Sequence, residues 1–280
     1  MPGCGLFASL DEHTSRLHAV ITESRPTAPV MGTPSRRLLE HLRSAAMPRS
    51  IHGGRHELGQ NHLHHRPTIE KITDLIAKTD GPILEIGAGD GALTRPLARL
   101  ERPLTAIDID EHRIAALRRS LSGVTARHAD ALVHPLEAAV IVGNLPFHIT
   151  TPLLRRLLAG STWSTAVLLT QWEVARKRAG VGGSTMMTAQ TAPWFDFRLV
   201  CRVPAAHFRP RPSVDGGLLR IERRAAPLVD PADRAAYEHF VRNTFTGRGR
   251  GLDRIIEQAA RVPRSQAQSA LSAAGLDRRA

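Results

Sequence analysis

Pro82-Ile83-Leu84-Glu85-Ile86-Gly87-Ala88-Gly89-Asp90-Gly91 runs a short apolar strand straight into a glycine-rich turn. Residues 92–100 then carry a helical pattern, so the stretch reads as strand, tight turn and helix, the opening unit of an α/β fold. Glycines permit such a turn and let a ligand approach the backbone. Working outward, the same alternation recurs. A strand over 104–107 ends at Asp108, and a helix over 111–121 follows with Ile114, Leu117 and Leu121 on one face. A third strand around 124–128 ends at Asp130. The apolar run 138–142 reads as a buried parallel strand ending near Asn144, and Thr150-Thr151-Pro152 starts a helix with Pro just inside the cap. A helix over 68–78 precedes the glycine turn, and further strands are expected over 165–169, 194–203 and 217–221. The last two would pair antiparallel through a Pro-rich loop. The expected architecture is a Rossmann-like α/β sheet with helices on both faces, its chemistry at the C-terminal strand ends.

Those strand ends carry polar groups in succession. Gly87, Gly89 and Ala92 satisfy the dinucleotide fingerprint G-x-G-x-x-A, whereas Gly91 and the acid at Glu85 favour an S-adenosylmethionine site. A carboxylate at Asp108 can accept both hydroxyls of a ribose, and one at Asp130 can accept an adenine amine. Either Asp could instead cap a helix. The fourth strand end carries Asn144-Leu145-Pro146-Phe147. Two acceptors, the Asn144 side-chain oxygen and the Leu145 carbonyl, would hold the two N–H bonds of a flat base's exocyclic amine. Pro146 keeps the loop rigid, and Phe147 offers a stacking face worth roughly 1–3 kcal/mol per base. A methyl donor in line with that nitrogen would complete a transfer driven by proximity and orientation. Taken alone, the tetrapeptide could be an ordinary β-to-α turn; four consecutive strand ends so equipped argue for a site.

On these residues the chain resembles the rRNA adenine N(6)-methyltransferases and, within them, the Erm macrolide-resistance enzymes. The likeness runs from about Gly54 to Leu252. Gly59-Gln60-Asn61 resembles the family's opening motif, 85–91 its glycine loop, Asp108 its ribose acid, Asp130-Ala131 its adenine-binding pair, and 144–147 its catalytic loop. Residues 203–215 resemble its V-P-x-x-x-F-x-P-x-P-x-V-D signature, with Phe208 at the position that approaches the target base opposite Phe147. The resemblance implies S-adenosylmethionine as cofactor, held by Asn61, Leu63, Glu85, Gly87, Gly89, Asp108, Ile109, Asp130, Ala131 and Asn144. It implies 23S rRNA as substrate, contacted by Phe147, Phe208, Arg209 and Arg211, and methylation of one adenine in the peptidyl-transferase loop. Segments 171–180 and 246–252 favour the resistance branch over the related 16S rRNA dimethylases. Two departures stand out: His62 follows the opening motif where the family usually has Phe, and Asp108 replaces a frequent Glu. The spacing of His62, His64 and His65 fits a closed zinc site poorly, and no metal is expected.

Composition agrees with this reading. The chain has 280 residues, 42% of them hydrophobic, and a formal net charge of +12, the electrostatic footprint of a nucleic-acid binder. Arg198, Arg202, Arg209, Arg211, Arg220, Arg223 and Arg224 crowd one segment. The alternatives are a solvated basic face or affinity for a membrane surface; proximity to Phe208 favours RNA. Cys4 and Cys201 are far apart, so no disulfide framework is expected and a reducing cytoplasm fits. No apolar run is long enough to span a bilayer, and no secretory signal pattern is present.

Three regions are expected. Residues 1–50 lack a strand pattern and read as a disordered extension with one short amphipathic helix over 35–46; Met31 and Met47 are alternative starts. Residues 51–225 form the catalytic domain, with a flexible glycine loop at 180–183 near the reaction site. Residues 226–280 form a small all-α RNA-binding domain with helices over 231–245, 252–261 and 265–274. The protein is expected to act as a monomer. The competing readings are a 16S rRNA dimethylase and a non-catalytic RNA-binding factor on the same fold. A dinucleotide oxidoreductase would leave 144–147 without a purpose.

Overall fold

The computed structural model describes residues 61–247 and 251–276. The extension over 1–50, its helix, most of the opening motif, and Arg248 and Arg250 lie outside the described residues.

In chain order the elements are β1 (His62–Leu63), α1 (Arg66–Ala77), β2 (Ile83–Ile86), α2 (Thr94–Ala98), β3 (Leu104–Asp108), α3 (Glu111–Ser120), β4 (Thr125–His128) and β5 (Val140–Asn144). Then come α4 (Thr150–Ala159), β6 (Thr165–Gln171), α5 (Trp172–Arg178), α6 (Met186–Thr191), β7 (Phe195–Val203), β8 (Phe208–Arg209), β9 (Gly216–Arg223), α7 (Arg234–Thr246), α8 (Leu252–Ala260) and α9 (Arg264–Ala273). Seven strands form one sheet in the order β4-β3-β2-β5-β6-β9-β7. β2 pairs parallel with both β3 and β5, so the chain winds outward one way and then the other from the sheet centre. That reversal opens a crevice beyond the C-terminal ends of β2 and β5, where open α/β sheets bind ligands. β9 pairs antiparallel with β6 and β7, and β7 carries an irregularity between Leu199 and Cys201.

Period-two alternation sends neighbouring strand residues to opposite faces. Leu84, Ile86 and Ile141 join Leu154, Leu157 and Trp163 on the α4 face. Ile83, Val140 and Val142 meet Ile72 and Ile76 of α1, Leu97 of α2 and Leu117 of α3 on the other. The helices therefore cover both faces, as the near-continuous apolar strands require.

α7 packs on this body: Tyr237 and Val241 are buried with it, and the Tyr237 ring meets Trp194 edge-on at 5.6 Å. α8 and α9 enclose a small core of their own from Ile256, Val262, Ala267 and Leu271. Asp253 ties the two together: its Oδ2 accepts from Gln268 Nε2 at 3.0 Å and Arg264 Nε at 2.9 Å. Gln268 and then Arg264 hold the Asp253 carboxyl down to about 2. Among the described residues, no helix is long and apolar enough to cross a membrane.

Candidate active site

The glycine turn is fastened from below. Gly87 N and Ala88 N both donate to the Ile107 carbonyl, at 2.9 and 3.1 Å. Gly87 and Gly89 take φ of +75° and +51°, which only glycine adopts cheaply. Gly89 N also donates to Asp108 Oδ2 at 2.8 Å, and Asp110 N to Asp108 Oδ1 at 2.9 Å. Asp108 is 6% exposed and sits on the cleft wall. The capping role falls two residues later: the Asp110 side chain accepts from His112 N and Arg113 N at the start of α3. That leaves the remaining lone pairs of Asp108 for a ligand. Asp130 is exposed on the same cleft, with its Oδ1 accepting from Leu132 N at 2.8 Å. Ile109, 51% exposed, supplies an apolar surface between the two acids.

Across the cleft, the amide of Asn144 is held in one orientation. Its Nδ2 donates to the Asn61 carbonyl at 2.7 Å. A carbonyl can only accept, so the nitrogen faces Asn61 and Oδ1 remains as an acceptor. Leu145 N donates to the Leu169 carbonyl at 2.9 Å, and the Leu145 side chain is buried. Pro146, at φ −55°, leads into a 3₁₀ turn (Phe147–Ile149), and its carbonyl accepts from Ile149 N at 3.1 Å and Thr150 Oγ1 at 3.3 Å. Phe147 is half-buried on the cleft wall. The cleft encloses about 810 Å³, open mouth included.

Residues 51–278 match the Ribosomal RNA adenine dimethylase family. The chain belongs to that family. The mycinamicin-resistance protein MyrB of Micromonospora griseorubida is 52% identical over 208 residues, 73% of this chain and 67% of the relative. An rRNA adenine N-6-methyltransferase of Corynebacterium diphtheriae is 50% identical, covering 73% of this chain and 83% of the relative. The crystal structure of the 23S rRNA methyltransferase ErmE superposes with a TM-score of 0.73 at 36% identity, over 79% of this chain and 92% of that one.

The dimethylase family is one of S-adenosylmethionine-dependent methyltransferases, and the cleft suits that cofactor. Glu85 is 1% exposed, and its Oε2 has no hydrogen-bond partner among the described residues. A buried, unpaired carboxylate oxygen is costly; Glu85 lies behind the cleft wall, next to Ile86 and Gly87 which line it, where a cation such as the ammonium of the cofactor's methionine would offset its charge. Without a cation, burial pushes the Glu85 carboxyl up to about 8; the nearby Thr94 hydroxyl opposes the rise and the Asp108 charge adds to it. The folded protein then keeps a proton that the unfolded chain releases near 4.5, so stability falls as pH climbs from 4.5 through about 8. We expect the melting temperature of ligand-free protein to drop by roughly 5 °C between about pH 5 and pH 8. Glu85→Gln should abolish that slope in a thermal-shift series, and S-adenosylmethionine should flatten it in the unmutated protein. Equal slopes in Glu85→Gln and unmutated protein would show that Glu85 does not carry the effect.

In this family member, Asn61, Gly87, Gly89, Asp108, Ile109, Asp130, Ala131 and the loop 144–147 all meet at one cleft. Three expected cofactor or base contacts do not: Glu85, Leu63 and Phe208. Glu85 is buried just before the glycine turn and outside the cleft lining. Leu63 is 3% exposed and faces the core; the adjacent His62 lines the cleft in its place. Phe208 is 1% exposed and lies outside the cleft lining. The reason is local: Phe208 pairs with Leu63 across the β1–β8 ribbon, and its ring is packed inward against Gly216, where an added Cβ would meet it at 3.0 Å. Of the two aromatic rings expected to oppose each other, Phe147 alone lines the cleft among the described residues. Arg209 and Arg211 are exposed. The 180–183 loop does not line the cleft.

His62 and His148 are cleft residues that sequence reasoning did not assign. His62 presses on the glycine turn, where a Cβ at Gly89 would stand 3.1 Å from its Nδ1. Burial and then Arg113 lower its pKa, while Asp90, Asp108 and Asp110 pull the other way. Its neighbour His65 instead stacks on His207, ring centroids 3.5 Å apart. The signal for His62 was adjacency to Asn61; for His148, adjacency to Phe147.

Proposed function

We propose that this protein transfers methyl groups from S-adenosylmethionine to the N6 amine of one adenine in the peptidyl-transferase loop of 23S rRNA. The modified ribosome would then resist macrolide, lincosamide and streptogramin B antibiotics. The observation that carries the reading is the Asn144 amide, turned by Asn61 so that an oxygen remains for the cleft. A relative named for mycinamicin resistance and a neighbour named as a 23S rRNA methyltransferase support the choice of substrate.

Bound in the cleft, S-adenosylmethionine supplies an electrophilic methyl group on a sulfonium. Asp108 would hold the ribose, Asp130 the adenine amine, and Ile109 and Ala131 the ring, with Glu85 near the methionine ammonium. The target base leaves its stack to enter such a site. Phe147 takes its face, while Asn144 Oδ1 and the Leu145 carbonyl accept its two N–H bonds. That grip pulls the nitrogen toward tetrahedral and frees a lone pair otherwise delocalised into the ring. Orientation of two bound reactants supplies most of the acceleration, and no covalent enzyme intermediate is needed. The proton lost from nitrogen passes to solvent. Arg209 and Arg211 meet phosphates, and the enzyme acts as a cytoplasmic monomer.

The test is radiolabel transfer from S-adenosylmethionine to deproteinised 23S and 16S rRNA, with primer extension to locate the modified base. Label confined to 16S rRNA, or no label at all, would overturn the reading. For Arg209→Ala we expect a higher KM for RNA and a log K against log salt slope shallower by roughly 0.7–0.9. An unchanged slope would remove Arg209 from the RNA surface.

A further inference from the structure

A second cavity opens beyond the C-terminal end of β6, on the β9 side. It encloses about 730 Å³ with its mouth and is lined by Gln171, Trp172, Arg202, Ser213, Val214 and Asp215. Its wall is preassembled. Trp172 N donates to the Asp215 carbonyl at 2.9 Å. Asp215 Oδ2 accepts from Arg202 Nε at 2.7 Å and its Oδ1 from Ala205 N at 2.8 Å. The Arg202 guanidinium thereby lies over the Trp172 ring, 5.3 Å from its centroid. The Arg202 side chain is still 60% exposed, so a flat guanidinium surface, its charge paired with Asp215, faces solvent. Val214 is 44% exposed beside it.

The place is as telling as the chemistry. Leu169 pairs with Asn144 across β5 and β6, and Gln171 lies two residues farther along. At about 4.8 Å between strands and about 3.3 Å rise per residue, its Cα is roughly 8 Å from that of Asn144. Arg209 and Arg211 lie exposed on the same connection between β7 and β9. The lining also includes an acid, Glu173, paired with Arg176 Nη2 at 3.0 Å, which blunts its repulsion of phosphate.

We propose that this cavity receives an unpaired nucleobase adjacent to the target adenine, stacked on the Arg202–Trp172 wall with its edge toward Gln171 and Ser213. The inference rests on the reading that the substrate is RNA. Guanidinium and indole planes are the surfaces on which splayed RNA bases stack, and a neighbour held there would keep the target base extruded.

The full-length protein should be tested with three RNA hairpins of the peptidyl-transferase loop: intact, abasic one nucleotide 5′ of the target, and abasic one nucleotide 3′. The unmutated protein should bind the intact hairpin roughly tenfold more tightly than one of the abasic forms. Trp172→Ala and Arg202→Ala should erase that preference with the S-adenosylmethionine Kd unchanged, and Trp172→Phe should retain part of it. If the unmutated protein methylates the intact hairpin yet binds all three equally, the subsite is wrong and the function stands. If Trp172→Ala weakens binding to all three alike, Trp172 only supports the fold and the subsite is again wrong. If no hairpin and no rRNA is methylated, both the reading of function and this inference fall.

Discussion

Asn144→Ala should lower single-turnover methyl transfer by roughly 10²–10³-fold, the scale seen when one oriented polar contact to a reacting centre is deleted. The donor's Kd should rise no more than about fivefold, the worth of the one neutral hydrogen bond the side chain makes to Asn61. The separation of the two effects is the point. If Asn144 served only to pin the segment at 61, transfer and donor binding would fall together. Asn144→Asp sharpens the contrast: a carboxylate cannot donate to the Asn61 carbonyl, so two oxygens would face each other, and this variant should bind donor less well than Asn144→Ala. Rapid-quench transfer of a radiolabelled methyl and equilibrium dialysis of the donor measure the two quantities. Near-normal transfer by Asn144→Ala would end the proposed mechanism.

Asp108→Ala should raise the Kd for S-adenosylmethionine about 100-fold, since two hydrogen bonds to a charged acceptor are worth about 3 kcal/mol or more. Part of the loss is indirect. The carboxylate also holds Gly89 N and Asp110 N, so its removal loosens the turn on which the donor lies. Asp108→Asn keeps one acceptor oxygen and should fall between the two. At saturating donor, transfer by Asp108→Ala should return close to the unmutated rate, because the ribose it is proposed to hold does not react. Titration calorimetry with the donor and with its demethylated product gives the answer. A donor Kd within threefold of normal would detach Asp108 from the ribose.

The centre of the parallel sheet was readable because its strands are short apolar runs ending near glycine or acid, as at 83–86 and 140–144. The antiparallel pairing of β7 with β9 followed from the Pro-rich connection that joins them. The β1–β8 ribbon left no periodic trace, since two residues on each side are too few to alternate. That ribbon decides the fate of Phe208, so the motif gave its position in the chain but not the direction of its ring. α5 was missed because Trp172–Arg178 buries a single residue, Ala175, and shows no apolar stripe. Asp108 and Asp110 flank one isoleucine, and nothing in their identities tells which caps α3 and which faces the cleft. That choice depends on where β3 ends, a property of the sheet.

The ribbon also ties two ligand surfaces to one short hinge. His62, against the donor turn, lies directly across from Arg209 on the outer surface. A two-stranded contact of this length has little persistence of its own, so ordering either side stiffens the other. Whatever coupling the ribbon carries between donor and nucleic acid must act by one common factor in both directions.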